Sequence, residues 1–263
     1  LFPYTTLFRS VRVYSLFVAT MFSMIEKSTA KGNTSEDDAA TFHLLLIFAK
    51  NNTNIFTGQQ IQLLQPYVGN IGTRDDIQIY RCVISILHRT LPVVSDVDLE
   101  FLRSTSRVLK EQITLFKRTI LNEVIPCLWA IGEKLEDNQL LTNLALSSLE
   151  HIQSMVNLRF HDPINQEAVR KVKKLLLIAG ICGRHCHFQP ERFQMQFTDC
   201  HSVSKFMIGT FLLFSSFGQP MDLREAALDA ICRICQVQPE YFTSSVVTTL
   251  FEQAFEERNP LLE

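Results

Sequence analysis

The stretch VSKFMIGTFLLFSSF (203–217), GQPMD (218–222) and LREAALDAICRIC (223–235) carries the architecture in miniature. Its first segment reads as a helix. Gly218, Pro220 and Asp222 then punctuate a turn. The second segment opens with charged Arg224 and Glu225 and continues with small Ala226 and Ala227, which let neighbouring helices approach closely. Ile231 and Ile234 follow at helical spacing. Two helices joined by a tight turn are expected here. Neither can bury its apolar face alone, so such pairs must stack on further pairs.

Working outward, helical periodicity runs nearly everywhere and strand alternation is nearly absent. From Thr73, followed by Asp75 and Asp76 where they answer the helix dipole, apolar residues recur at Ile77, Tyr80, Val83, Ile84, Leu87 and Leu91 until Pro92 stops the helix. Asp96 to Arg118 repeats the pattern with Leu99, Leu102, Leu109, Ile113 and Phe116, and Asn138 to Leu158 repeats it with Leu141, Leu144, Ile152 and Met155. Further helices are expected near 12–27, 36–51, 58–69, 166–182, 203–217, 222–237 and 242–257. The second helices of successive pairs should begin near 36, 74, 119, 166 and 222, at intervals of 38, 45, 47 and 56. A HEAT or armadillo unit repeats every ~40–47 residues, and the polar stretch from His185 to Ser202 accounts for the long last interval. The segment beginning at Leu223 resembles the second helix of a HEAT unit. The expected fold class is all-α, an α-solenoid of HEAT-type antiparallel helix pairs.

Composition agrees with this reading and excludes others. The chain has 263 residues, 46% hydrophobic, with 20 Phe but only 9 Gly and 9 Pro, which suits helices with short connections. Its formal net charge is −2, from 25 basic and 27 acidic residues. A dedicated nucleic-acid module would show a basic excess, so any contact with DNA has to come from a local patch. The seven cysteines are odd in number, and Cys82, Cys127, Cys182, Cys232 and Cys235 sit inside apolar helical patterns. That reads as reduced thiols packed in cores rather than a disulfide framework.

Residues 1–10, LFPYTTLFRS, resemble the translation of a sequencing adapter and are read as a non-native segment. Residues 11–263 are then expected to be a HEAT-repeat array of about five units, truncated at both ends and exposing apolar surface there. The run from Val13 to Ile25, with Arg9, Arg12 and the small residues Ser28-Thr29-Ala30, mimics a signal peptide. Without the adapter-like residues it is too short to span ~30 Å of hydrocarbon, and a buried helix is expected instead.

Motifs that could carry chemistry resolve into packing. CGRHCHF places Cys182, His185, Cys186 and His187 together, with Cys200 and His201 downstream. Tetrahedral zinc favours two separated ligand pairs, and adjacent His-Cys-His cannot all face one ion. Cys232 and Cys235 form a C-x-x-C, but late in a helix and interleaved with Ile231 and Ile234, where core packing is expected rather than redox chemistry. The S-x-x-K pairs Ser28–Lys31, in a polar loop, and Ser202–Lys205, at a helix start, lack the further elements a penicillin-binding active site needs. No phosphate-binding glycine loop, dinucleotide fingerprint or H-E-x-x-H occurs. Asp37 and Asp38 fall at a helix start, where the dipole alone explains them. No enzyme, cofactor or metal is expected.

One basic stretch stands out. Arg170, Lys173 and Lys174 share a helix face, with Lys171 beside them, opposite Val169, Val172, Leu176 and Ala179. It reads either as a solvated face or as a contact for DNA phosphates or an acidic partner. Arg170, Lys173 and Lys174 are the candidate contact residues.

LLLIFAKNN (44–52), IFTGQQIQLLQPYV (55–68), RDDIQIYRCVISILHRTLP (74–92), LNEVIPCLWAIG (121–132) and LLLIAGICGRHCHF (175–188), continued by the repeat from Val203 to Tyr241, resemble the C-terminal HEAT array of the cohesin loader large subunit. This is the Nipped-B or adherin family of sister chromatid cohesion proteins, here in its fungal form. The resemblance covers roughly four fifths of the chain and contains no catalytic signature. It implies a hook-shaped nuclear, chromatin-associated scaffold that loads cohesin rings onto chromatin. Such a scaffold clasps the cohesin ATPase heads and kleisin together with DNA and stimulates the cohesin ATPase without hydrolysing ATP itself. The small loader subunit would bind a region outside this stretch. Two competing readings are a HEAT or armadillo scaffold of another pathway, such as a nuclear transport receptor or a kinase or phosphatase regulatory subunit, and a zinc or thiol enzyme.

Overall fold

The computed structural model describes residues 3–31, 36–69, 74–185, 203–216 and 218–237, with isolated positions beyond. The described residues form helices and turns with no strand among them. The chain divides into two compact units, Leu1–Asp137 and Asn138–Glu263.

In the first unit, α1 (Pro3–Lys31) and α2 (Glu36–Asn51) pack as an antiparallel pair. Their residues meet in reverse order: Ser28 Oγ donates to Asp38 Oδ2 at 2.7 Å, and the rings of Tyr14 and Phe48 lie 5.8 Å apart. Val18, Met21, Phe22 and Ile25 of α1 are buried, but Val13, Leu16, Phe17 and Met24 are 50–69% exposed. The helix expected to be buried is therefore covered on one face only. Ser28 lies inside this helix rather than in a polar loop, and buried Asp38 ties two helices together besides facing a dipole.

A 3₁₀ turn (Thr53–Ile55) leads to α3 (Gly58–Gln62) and α4 (Gln65–Val68). The sequence suggested one helix over 58–69, and Pro66 explains the break, since it lacks the N–H an α-helix would aim at residue 62. Thr57 starts α3 with a reciprocal capping box to Gln60. Then come α5 (Arg74–Thr90), α6 (Leu99–Gln112), a second 3₁₀ turn (Ile113–Leu115) and α7 (Arg118–Lys134). The helix expected from Asp96 to Arg118 is shorter because Asp98 caps it, accepting from the Glu100 N–H, while Asp96 accepts from the Gly58 N–H. Beyond Gln112 the backbone tightens to 3₁₀ and turns at Phe116, whose ring lies against Tyr80 at 5.2 Å.

The helices α2, α5 and α7 form a ladder, each packed on the next. From α5 to α7 the order is parallel, because Ser85 meets Glu123 and the Val94 carbonyl meets Lys134 further on. Burying one large aliphatic or aromatic side chain stabilises by roughly 1.5–3 kcal/mol. Val83, Ile84, Leu87, Leu121, Val124, Ile125 and Leu128 are all at 0% exposure along these helices, so the ladder is the core.

The second unit contains α8 (Leu140–Gln153), a 3₁₀ turn (Pro163–Asn165), α9 (Gln166–His185), α10 (Val203–Ser215) and α11 (Met221–Val237). α8 packs on α9, α9 on α11, and α10 on α11. The helix anticipated to reach Leu158 ends at Gln153 and continues as turns. The helix anticipated near 242–257 lies outside the described residues apart from isolated positions, as does the cap at Thr73. Second helices begin at 36, 74, 118, 166 and 221, within one residue of the expected starts.

Candidate partner-contact site

The basic stretch lies at the start of α9. Pro163 begins the preceding 3₁₀ turn, Glu167 occupies the first turn of α9, and Arg184 and His185 occupy the last, each charge suited to its end of the dipole. Val172, Leu175, Leu176, Ile178, Ala179 and Ile181 are buried, so α9 is covered over most of its circumference. The exposed residues of α9 are Gln166, Glu167, Arg170, Lys171 and Arg184, so Arg170 shares the solvent side with an acidic residue as well as with Lys171.

The three candidate residues differ. Arg170 is exposed, whereas Lys173 and Lys174 are half-buried. Lys173 Nζ bonds Asp222 Oδ1 at 2.6 Å, joining the starts of α9 and α11. With side chains 45% and 63% exposed, such a pair contributes about 0–1 kcal/mol. It nevertheless neutralises one of the three candidate cations, and Lys174 also has an interaction partner. No sequence rule links Lys173 to a carboxylate 49 residues away. Arg170 is left as the most outward cation of the three.

α9 and α11 run parallel in close contact. A Cβ on Gly180 would stand 2.6 Å from the Ala230 Cβ, and one on Gly183 would stand 2.8 Å from Ile234 Cδ1. The tight approach thus falls at Ala230, one turn beyond the Ala226 and Ala227 singled out from sequence. Of those two, Ala227 is buried and Ala226 only half-buried.

The cysteines follow the same logic with one correction. Cys82, Cys127 and Cys182 are buried, and burial pushes the Cys127 thiol far above its ordinary range. Cys232 is exposed and Cys235 half-buried, so the expected core packing of this pair fails. Ile231 and Ile234 take the inward face, and a residue one position on is rotated ~100° away from it. Burial, then the neighbouring Cys232, raises the Cys235 thiol, opposite to the shift a reactive thiol needs. Cys182 is buried within α9 and His185 half-buried at its end, whereas Cys186, His187, Cys200 and His201 lie outside the described residues. No helix among the described residues is long and apolar enough to cross a membrane.

No protein-family model matches the chain. The fold is similar to that of the C-terminal fragment of the cohesin loader SCC2 of Chaetomium thermophilum, with a TM-score of 0.80 and 32% identity over 95% of this chain and 19% of that one. The sister chromatid cohesion protein mis4 of Schizosaccharomyces pombe is 23% identical over 223 residues, 82% of this chain and 13% of that protein. The chain is homologous to the C-terminal region of the cohesin loader large subunit. It spans about a fifth or less of the length of these two loader proteins. Its fold class is that of the loader's helical solenoid, all-α and built of HEAT-type helix pairs. The basic face on α9 and the parallel seam with α11 are features of this loader-like fold.

Proposed function

We propose that the chain is a non-enzymatic part of a cohesin loader, a HEAT-repeat scaffold that helps load cohesin onto chromatin for sister chromatid cohesion. The single observation that carries this is the agreement of nearly the whole chain with the SCC2 fragment at 32% identity. A scaffold of stacked helix pairs acts through what it holds rather than through a reaction centre. On this reading the full protein works in the nucleus on chromatin, contacts the cohesin ATPase heads and kleisin together with DNA, and stimulates ATP hydrolysis by cohesin. The small loader subunit binds elsewhere. Residues 1–10 are non-native, and 11–263 form an array of about five units.

Crosslinking of the full-length protein to DNA-engaged cohesin tests the reading, with crosslinks to ATPase heads or kleisin expected from this stretch. Absence of cohesin subunits from the purified assembly, with a transport or kinase complex in their place, would support the competing scaffold reading. Within the site, Arg170 leads the proposed contact, with Lys173 and Lys174 beside it. Arg170→Glu should weaken DNA binding and flatten its dependence on salt, because each lost phosphate contact lowers the slope of log affinity against log salt by about 0.9. An unchanged slope removes DNA from this face.

A further inference from the structure

A second cationic place arises in the first unit, where α2 packs on α5. Lys50, in the last turn of α2, and Arg81, on α5, both act electrostatically on the Cys82 thiol, opposing the burial that raises it. Both are exposed, and among the described residues neither forms an ion pair. Arg89 follows two turns along α5, also exposed and also without an ion pair among the described residues. Against these stand two carboxylates of α7: half-buried Glu123, already accepting a 2.8 Å hydrogen bond from Ser85, and exposed Glu133, one turn beyond Trp129. On a chain of net charge −2 this is a local excess of positive charge. Apolar groups are interleaved with it. Ile47, one turn before Lys50 on the same face, is 44% exposed, and Trp129 of α7 is 39% exposed.

We propose that the solvent face of the α2–α5–α7 ladder docks an acidic amphipathic protein segment, its carboxylates meeting Lys50, Arg81 and Arg89 and its apolar residues covering Ile47 and Trp129. Protein interfaces are enriched in arginine and tryptophan, and a partly exposed indole offers a large contact for little ordering cost. A nucleic-acid backbone fits less well. Such interfaces are more polar and more densely cationic, and phosphate would not cover the exposed apolar area of Ile47 and Trp129. The surface shares no residue with the basic face on α9 and does not depend on the loader reading, since its partner is defined by chemistry.

Fluorescence anisotropy on the full 263-residue chain tests this with three labelled probes. These are a peptide with Glu and Leu placed at helical spacing, its scrambled isomer, and a short DNA duplex. The amphipathic peptide should bind saturably and more tightly than the scramble, with affinity falling as salt rises. Reversing both charges, Lys50→Glu with Arg81→Glu, should weaken it by about tenfold or more. Trp129→Ala should weaken it as well. If the double variant loses helical circular dichroism, Lys50→Gln and Arg81→Gln singly give the same readout without charge reversal. Equal binding of the scramble, preference for the duplex, or wild-type affinity in the charge variants overturns the proposal.

Discussion

Two parallel helix contacts, α5 on α7 in the first unit and α9 on α11 in the second, are built from opposite materials. The first is filled by bulk: Tyr80 and Phe116 stack near its start, and Val83, Leu87, Leu121, Val124 and Leu128 are fully buried along its helices. The second closes on glycine, with Gly180 against Ala230 and Gly183 against Ile234. A seam of large side chains holds helices apart and relies on filled volume. A seam of small ones draws backbones together and relies on the absence of atoms. The two should therefore fail in opposite ways, the first by cavity and the second by overfilling.

The largest effect is expected from Phe116→Ala, which empties the volume beside Tyr80 and should cost about 3–5 kcal/mol by chemical denaturation. A loss near 1 kcal/mol would show that the first seam does not depend on bulk. Next comes Gly180→Ala. Its new methyl meets Ala230, whose backbone Cα is only 2.7 Å from the added atom, so a helix must shift. The strain, about 1–3 kcal/mol, outweighs the roughly 1 kcal/mol that alanine returns in helix propensity. Gly183→Ala should cost less, because the flexible end of Ile234 can yield. If Gly180→Ala is the milder of the two, the seam is looser than its geometry indicates.

The first seam should also respond to pH. Burial, with Arg89 assisting and Glu123 opposing, holds the half-buried His88 imidazole below its ordinary value of 6.5. The unfolded chain thus takes up the proton first. This contribution to stability is complete above the ordinary value and is lost as pH falls through it towards the folded one. Denaturation midpoints between about pH 7 and about pH 5.5 should fall more in the wild type than in His88→Gln, and equal slopes would assign the pH response to other groups. The smallest effect is Tyr80→Phe. The hydroxyl is buried without a hydrogen-bond partner among the described residues, so its removal should be neutral or stabilise by up to about 1 kcal/mol. A clear loss on removing it would reveal a partner for that oxygen.

Much of the fold was legible because helix pairing leaves a period in the sequence. The apolar series from Ile77 to Leu91 and the turn at Gly218–Asp222 placed second helices to within a residue. Helix ends were less legible. Pro66 divided what periodicity read as one helix, and Asp98 capped α6 later than the apolar pattern suggested. The C-x-x-C pair was less legible still, because apolar neighbours in sequence are not neighbours on a helix: Ile231 and Ile234 face inward while Cys232 faces water.

Sequence by itself determined the helical class, the pair as the building unit and the loader-like pattern, since periodicity and turn chemistry are local properties of the chain. Tertiary structure alone decided which charges stand free and which are neutralised. Lys173 meets Asp222, and Lys50 acts on the Cys82 thiol of another helix, only because helices far apart in sequence lie side by side. Coulomb energy depends on distance through space, and separation along the chain does not encode it.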